Sequence, residues 1–433
     1  MARGIRTAGL LAVATALVAC GGGAGGAAAP SGVAAPPPPA STPASKPPSA
    51  VPGGGVRQVL AKLTVKEKVG QLFMPVVYGT TAATVSGENQ ARFGVNTPAK
   101  VVEKYHLGGV ILFPQNIKTA AQVVGLTNGL QKASPKVPLI IATDQENGLV
   151  SRMSALVTPL PGASVVGATR DPALARAAAR ATGAELKALG VNLDFAPVAD
   201  VNINPRNPVI GKRAFGDDPA KVSKMVAASV KGFHDAGVAS TAKHFPGHGD
   251  TSVDSHTGLP VIKHTRQQWN TLDAPPFKAA IGAGVDAVMS AHIVMPKLDS
   301  SGDPATLSRT VLTGLLRERL GFDGVISTDA LNMGGARTKY SDGEVAVRAV
   351  LAGADLLLMP QDFPKAYDAV LAAVKSGRIS EARLDQSVTR LLKLRDRRGF
   401  LREAPVASAA EAARVLRSAE HRRLAARILR ESR

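Results

Sequence analysis

Cysteine is all but missing from this chain of 433 residues: Cys20 is the only one. No disulfide can form within one chain, and no thiol is left for catalysis downstream of residue 20. Aromatic residues make up only 4% of the sequence, which offers little surface for stacking on nucleic-acid bases. Acidic residues are outnumbered, 33 Asp and Glu against 52 Lys and Arg, for a formal net charge of +19. No apolar run reaches the about 20 residues that a membrane-spanning helix needs. Several chemical signatures are also lacking. No Gly-x-Gly-x-x-Gly follows the first apolar run, no Gly-x-Ser-x-Gly marks a nucleophile elbow, and no His-Glu-x-x-His marks a zinc helix.

The N-terminus has the pattern of an export signal. Arg3 and Arg6 precede the apolar segment Leu10–Val18, and Leu17-Val18-Ala19-Cys20 follows the order of a bacterial lipobox. Residues 1–20 are therefore expected to be a lipoprotein signal ending at a lipid-modified Cys20; an ordinary secretory signal is the alternative. Residues 21–55 are almost entirely Gly, Ala, Pro and Ser, a composition that cannot offset its ordering entropy by burial. They read as a disordered tether, with a reach on the order of 100 Å at roughly 3 Å per residue. The expected location is the outer face of the cytoplasmic membrane or the cell envelope.

From Val56 onward short apolar runs alternate with amphipathic helical patterns. The runs are Gly70–Val77, Gly109–Phe113, Pro138–Thr143, Val191–Phe195, Gly237–Ala242, Ala287–Ser290, Gly324–Thr328 and Ala354–Met359. Pro172–Leu189, Pro219–His234 and Glu344–Leu351 carry helical spacing between them. Near-continuous apolar strands alternating with helices predict an α/β fold with a parallel sheet, and eight runs suggest a (β/α)8 barrel over 56–400. A doubly wound open sheet is the competing reading. Residues 401–433 read as a basic helical tail. Much of the charge excess lies at Arg395, Arg397, Arg398, Arg402, Arg414, Arg417, Arg422, Arg423, Arg427, Arg430 and Arg433. Such a surface could meet anionic wall polymers or lipid headgroups, or simply be a solvated face.

The densest chemistry is Lys243-His244-Phe245-Pro246-Gly247-His248-Gly249-Asp250-Thr251-Ser252-Val253-Asp254-Ser255-His256, entered from an apolar run. Other polar residues also follow apolar runs, as a barrel requires of an active site: Asp144, His292 and Asp329. Three mechanisms compete for this set. His244, His248 and His256 could form a metal site, although their spacing along a Gly-rich loop is unlike a zinc helix. Acyl transfer lacks its nucleophile. Glycoside hydrolysis needs an acid and a carboxylate across the scissile bond, and Asp329 can supply the carboxylate. Asp254, two residues from His256 in an extended loop, can reach its ring, fix the tautomer and stabilise the imidazolium. Histidine titrates near neutrality, so His256 could serve as acid and then base.

The Lys243–Thr251 stretch followed by Asp254-Ser255-His256 resembles the signature of glycoside hydrolase family 3 β-N-acetylglucosaminidases. Further matches are Asp144-Gln145-Glu146, Asn192–Asp200, Gly211–Gly216 and Thr328–Met333, in family order. The resemblance implies a retaining enzyme that removes terminal GlcNAc, with cell-wall muropeptides or peptidoglycan fragments as substrate. Asp329 would be the nucleophile, and His256, oriented by Asp254, the acid/base. Asp144, Arg152, Arg213, Lys243 and His244 would bind sugar, with His248, Asp250 and His292 as supports. No metal, cofactor or nucleic acid is expected, and the chain is expected to be a monomer. A phosphorylase and a catalytically silent wall-binding lipoprotein are the alternatives. Two departures stand out. Asn147 replaces a glycine of the family pattern, and asparagine tolerates positive φ better than most residues. The chain also ends where two-domain relatives continue into a further α/β domain.

Overall fold

The computed structural model describes residues 54–433, so the expected signal, Cys20 and the tether up to residue 53 lie outside the described residues. A first helix spans Gly54–Ala61. Each of the eight apolar runs contains a strand or opens one: β1 Phe73–Met74, β2 Gly109–Ile111, β3 Ile140–Thr143, β4 Leu193–Asp194, β5 Ala239–Phe245, β6 Ala287–Ser290, β7 Val325–Ser327 and β8 Leu357–Leu358. Every residue of these strands is buried. Burial on both faces explains why the runs are continuously apolar and do not alternate.

All pairs among these eight strands are parallel. From β2 to β7 each strand bonds to the next in sequence. Phe73 and Met74 of β1 then pair with Leu357 and Leu358 of β8, at the other end of the chain order. Isolated bridges, Val76 to Ile111 and Ser327 to Leu356, join β1 to β2 and β7 to β8. The result is a curled parallel sheet wrapped by helices. A small antiparallel hairpin, Gln145–Asn147 with Val150–Ser151, follows β3 and was not legible as strand in the sequence.

The helical patterns fall where the spacing places them, at Pro172–Ala188, Pro219–Asp235 and Asp342–Ala352. The first two share one start device. Asp171 and Asp218 accept hydrogen bonds from backbone N–H groups of the first turn, and proline follows each at the first helical position. Proline is tolerated there because its missing N–H would have no intrahelical partner.

The tail does not stand apart in solvent. Helices at Ala409–Val415 and Ala419–Glu431 pack back on the domain. The buried carboxylate of Glu185 accepts from Arg417 N–H at 2.9 Å and from His421 Nδ1 at 2.7 Å, while its other bonds go to Thr158. Arg422, Arg423, Arg427 and Arg430 remain exposed, as a basic surface requires. Arg395 is a correction to that surface: it is fully buried in the helix Glu381–Arg397. Its guanidinium donates to the carbonyls of Pro138, Leu391 and Gly108 and to Gln71 Oε1. No carboxylate faces it, and burial pushes its pKa down to about 9. It closes the end of the sheet opposite the site by bonding several segments at once.

Candidate active site

A cleft of about 450 Å³ opens where β2, β3, β5, β6, β7 and β8 end. Its lining includes all the residues expected to bind or react: Asp144, Arg152, Arg213, Lys243, His244, Asp254, His256 and Asp329. Lys243 and His244 were expected just after a strand, but β5 runs on to Phe245 and carries both. The pairing with β6 slips between Lys243 and Phe245. Such a slip re-aims side chains, which allows two consecutive residues to face one cleft.

At the floor lies a cluster of four charges. Lys243 Nζ sits 2.8 Å from Asp144 Oδ1 and 2.7 Å from Glu146 Oε1. Arg213 clamps Glu146 with two bonds, Nε to Oε2 at 2.8 Å and Nη2 to Oε1 at 2.7 Å. Lys243 is 1% exposed, and burial alone would lower its pKa. Asp144 and Glu146 outweigh that and keep the ammonium charged. Burial likewise opposes ionisation of Glu146, yet Lys243 and Arg213 bring its pKa down to about 2. Glu146 was not singled out in the sequence. It stands two residues from Asp144 in the hairpin, a spacing that places both on one face. Asn147 takes φ 66° at the turn, as an asparagine in place of glycine must.

Asp200 organises the next layer. Its buried carboxylate accepts from His244 Nδ1 at 2.7 Å, from the His244 backbone at 3.2 Å and from the His248 backbone at 2.8 Å. His244 Nε2 is thereby turned toward Arg213, 3.3 Å away. His248 bonds Ser255 Oγ at 2.9 Å, and burial pushes its pKa down to about 4, so the ring is neutral. Asp194, beneath the hairpin, accepts from Gln145 N–H at 2.9 Å. Burial pushes its pKa up to about 8, so it keeps a proton at neutral pH.

The Asp254–His256 pair forms as the sequence suggests, by a different route. Asp254 Oδ1 accepts from His256 Nδ1 at 2.7 Å and also from the His256 backbone at 2.8 Å. The carbonyl of Asp254 accepts from Thr257 and Gly258 N–H. The segment is thus a turn, and no extended loop brings the two together. The side chain is 59% exposed and lines the cleft, with Nδ1 engaged by Asp254.

Asp329 follows β7 and accepts from Ala330 N–H at 2.7 Å. Burial opposes its ionisation, but the neighbouring His244, His292 and Lys243 and the Ala330 bond hold its pKa below the usual carboxylate range. His292 lies behind it, with Nε2 bonded to the Ala330 carbonyl at 3.0 Å and Nδ1 to Thr306 Oγ1 at 2.9 Å. Gly334 and Gly335 N–H groups on the Asp329 segment bond the His256 and Ser255 carbonyls. The Asp254–His256 turn and the segment after Asp329 are thus joined directly. Asp250, by contrast, turns away from the cleft toward His264. Among the described residues, no group of three or more His, Cys, Asp or Glu side chains is arranged to hold a metal ion.

Glu146 gives the site a pH signature. Its pKa in the folded protein, about 2, lies below its ordinary value of 4.5. Its stabilising contribution is therefore complete above about pH 4.5 and lost as pH falls toward 2, on the order of 3 kcal/mol in all. In urea unfolding, Glu146→Gln should be less stable than the wild type at pH 6, with the gap narrowing toward pH 3. A gap independent of pH would contradict the pairing.

Comparison with known proteins places this geometry in a family. The profile of the glycosyl hydrolase family 3 N terminal domain matches residues 64–394. Beta-hexosaminidase A of Pseudoalteromonas piscicida is 39% identical over 398 residues, 84% of this chain and 66% of that protein. The chain thus spans just under two thirds of that relative's length. A beta-hexosaminidase of Thiobacillus denitrificans is 41% identical over 274 residues, 61% of this chain and 74% of its own length. Among solved structures, a glycoside hydrolase family 3 beta-N-acetylglucosaminidase from a Paenibacillus species superposes with a TM-score of 0.79 at 45% identity, covering 86% of this chain and 69% of its own. The curled sheet, the cleft at its strand ends and the matched span agree: this chain belongs to glycosyl hydrolase family 3.

Proposed function

We propose that this protein is a retaining β-N-acetylglucosaminidase that releases terminal, non-reducing β-linked GlcNAc from peptidoglycan fragments. The observation that carries the reading is the placement of the Asp254–His256 pair and Asp329 in one cleft of about 450 Å³. Two relatives named beta-hexosaminidases and a solved beta-N-acetylglucosaminidase support it. The ring of strand pairings supports a (β/α)8 barrel as the scaffold.

In the first step an Asp329 carboxylate oxygen attacks the anomeric carbon. The glycosidic bond breaks as His256 Nε2–H gives its proton to the leaving oxygen, and a glycosyl ester on Asp329 results. Asp254 holds the Nδ1 proton, so that Nε2 is the nitrogen that exchanges protons with substrate. In the second step the now neutral His256 takes a proton from water, whose oxygen attacks the anomeric carbon and frees Asp329. Two inversions leave the product in the β configuration. Asp144, as acceptor, and Lys243, Arg213 and Arg152, as donors, would bind the sugar's hydroxyl and acetamido groups, with His244 lining the same pocket between Asp200 and Arg213.

The N-terminal pattern supports a lipid anchor at Cys20 and a location at the outer face of the cytoplasmic membrane. Mass spectrometry of the mature N-terminus should find diacylglycerol on Cys20; a free thiol there would contradict the anchor.

Activity is tested on 4-nitrophenyl β-GlcNAc beside the β-glucoside. GlcNAc should be released with the β-anomer formed first, as followed by NMR. His256→Ala should lower turnover by about 10²–10⁴-fold, the contribution of a general acid/base. Asp329→Ala should lower it further. GlcNAc-1-phosphate formed on adding phosphate would make the protein a phosphorylase. Wild-type rates in both variants would overturn the assigned roles.

A further inference from the structure

His264 lies outside the cleft, 7% exposed, on the segment that follows the loop carrying Asp254 and His256. Both of its ring nitrogens face carboxylates: Nδ1 to Asp273 Oδ2 at 2.7 Å, and Nε2 to Asp250 Oδ2 at 2.9 Å. A neutral imidazole has one N–H, so only the imidazolium can donate to both. The two carboxylates outweigh partial burial and raise the His264 pKa, which favours that form.

What this histidine joins gives it a purpose. Asp250 belongs to the dyad-bearing loop, four residues before Asp254. Asp273 is buried beneath the start of the same loop. A Cβ placed on Gly247, at φ 128°, would lie 2.7 Å from Asp273 Cβ, so the loop backbone rests on that side chain. Trp269, on the same supporting segment, donates from Nε1 to the Pro246 carbonyl at 2.9 Å. On the opposite flank Asn207 Nδ2 bonds the His248 and Gly249 carbonyls, and Asn204 Nδ2 bonds that of Thr251. These amides hold the loop through backbone alone. His264 supplies a side-chain tie by which a charged clasp reaches Asp250.

We propose that His264 is a positioning residue, whose clasp on Asp250 and Asp273 sets the angle at which His256 meets the leaving oxygen. The inference rests on the reading of Asp254 and His256 as the acid/base pair. A side chain acting only through the acid should matter in proportion to how much proton the leaving group needs. Dinitrophenolate leaves without one, whereas a sugar alkoxide does not.

The test compares His264→Gln with the wild-type protein on 2,4-dinitrophenyl β-GlcNAc and on the β-1,4-linked GlcNAc disaccharide. Because His256 also serves as base in the second step, which both substrates share, the readout is kcat/KM, which reports the first step alone. It should fall about 100-fold on the disaccharide, the cost of a displaced catalytic group, and less than about threefold on the aryl substrate. Asp250→Asn, which removes the other end of the clasp, should show the same split and serves if the histidine variant fails to fold. Equal losses on both substrates would reduce His264 to a structural brace and overturn the proposal, as would unchanged rates on both. A wild-type protein inactive on both substrates would instead overturn the glycosidase reading, and this inference with it.

Discussion

An ammonium group buried at the mouth of an apolar sheet is the constraint around which this site is built. Lys243 is 1% exposed, and a lone charge there would be pushed toward its neutral form. Asp144 and Glu146 keep it charged, and Arg213 in turn satisfies both oxygens of Glu146. Removing any one of the four leaves the buried cluster with an unbalanced charge. The hairpin after β3, the end of β5 and the Gly211–Arg213 turn are thereby fixed relative to one another. A pyranose offers hydroxyl groups in set directions, and a rigid polar floor suits it better than a flexible one.

Around that floor the groups proposed to react are separated by environment. Asp329 sits among histidines and Lys243 and stays ionised. His256 is exposed enough to exchange protons with solvent and is turned by a carboxylate that also bonds its backbone. Hydrogen bonds from Gly334 and Gly335 to the His256 and Ser255 carbonyls tie the segment of the proposed acid to that of the proposed nucleophile. Their relative placement does not depend on the long path through the sheet.

Much of this was legible in the sequence because the physics behind it is local. Eight continuously apolar runs gave eight strands, since strands buried on both faces leave no polar alternation to confuse with a helix. Asp329 and Asp144 declared themselves by following such runs. The Asp254–His256 pair could be drawn from spacing, although a turn brings the two together. Contacts between distant segments were not legible. Arg395 reads as one more arginine in a basic tail until the fold wraps carbonyls from Gly108 and Pro138 around it. Glu146 and Asp200 sat inside matched motifs, but their roles depend on Arg213 and His244, which arrive from elsewhere in the chain. His264 gave no signal, because one of its two partners lies 14 residues before it and the other 9 after.

The most direct test of the account is to trap the glycosyl-enzyme. Incubation with 5-fluoro-GlcNAc fluoride, which forms the ester readily and hydrolyses slowly, can be followed by proteolysis and mass spectrometry of the labelled peptide. The account predicts a single fluorinated N-acetylhexosaminyl group on the carboxyl of Asp329, lost slowly as activity returns. A label on Asp144 or Glu146, or steady turnover with no covalent adduct, would contradict it.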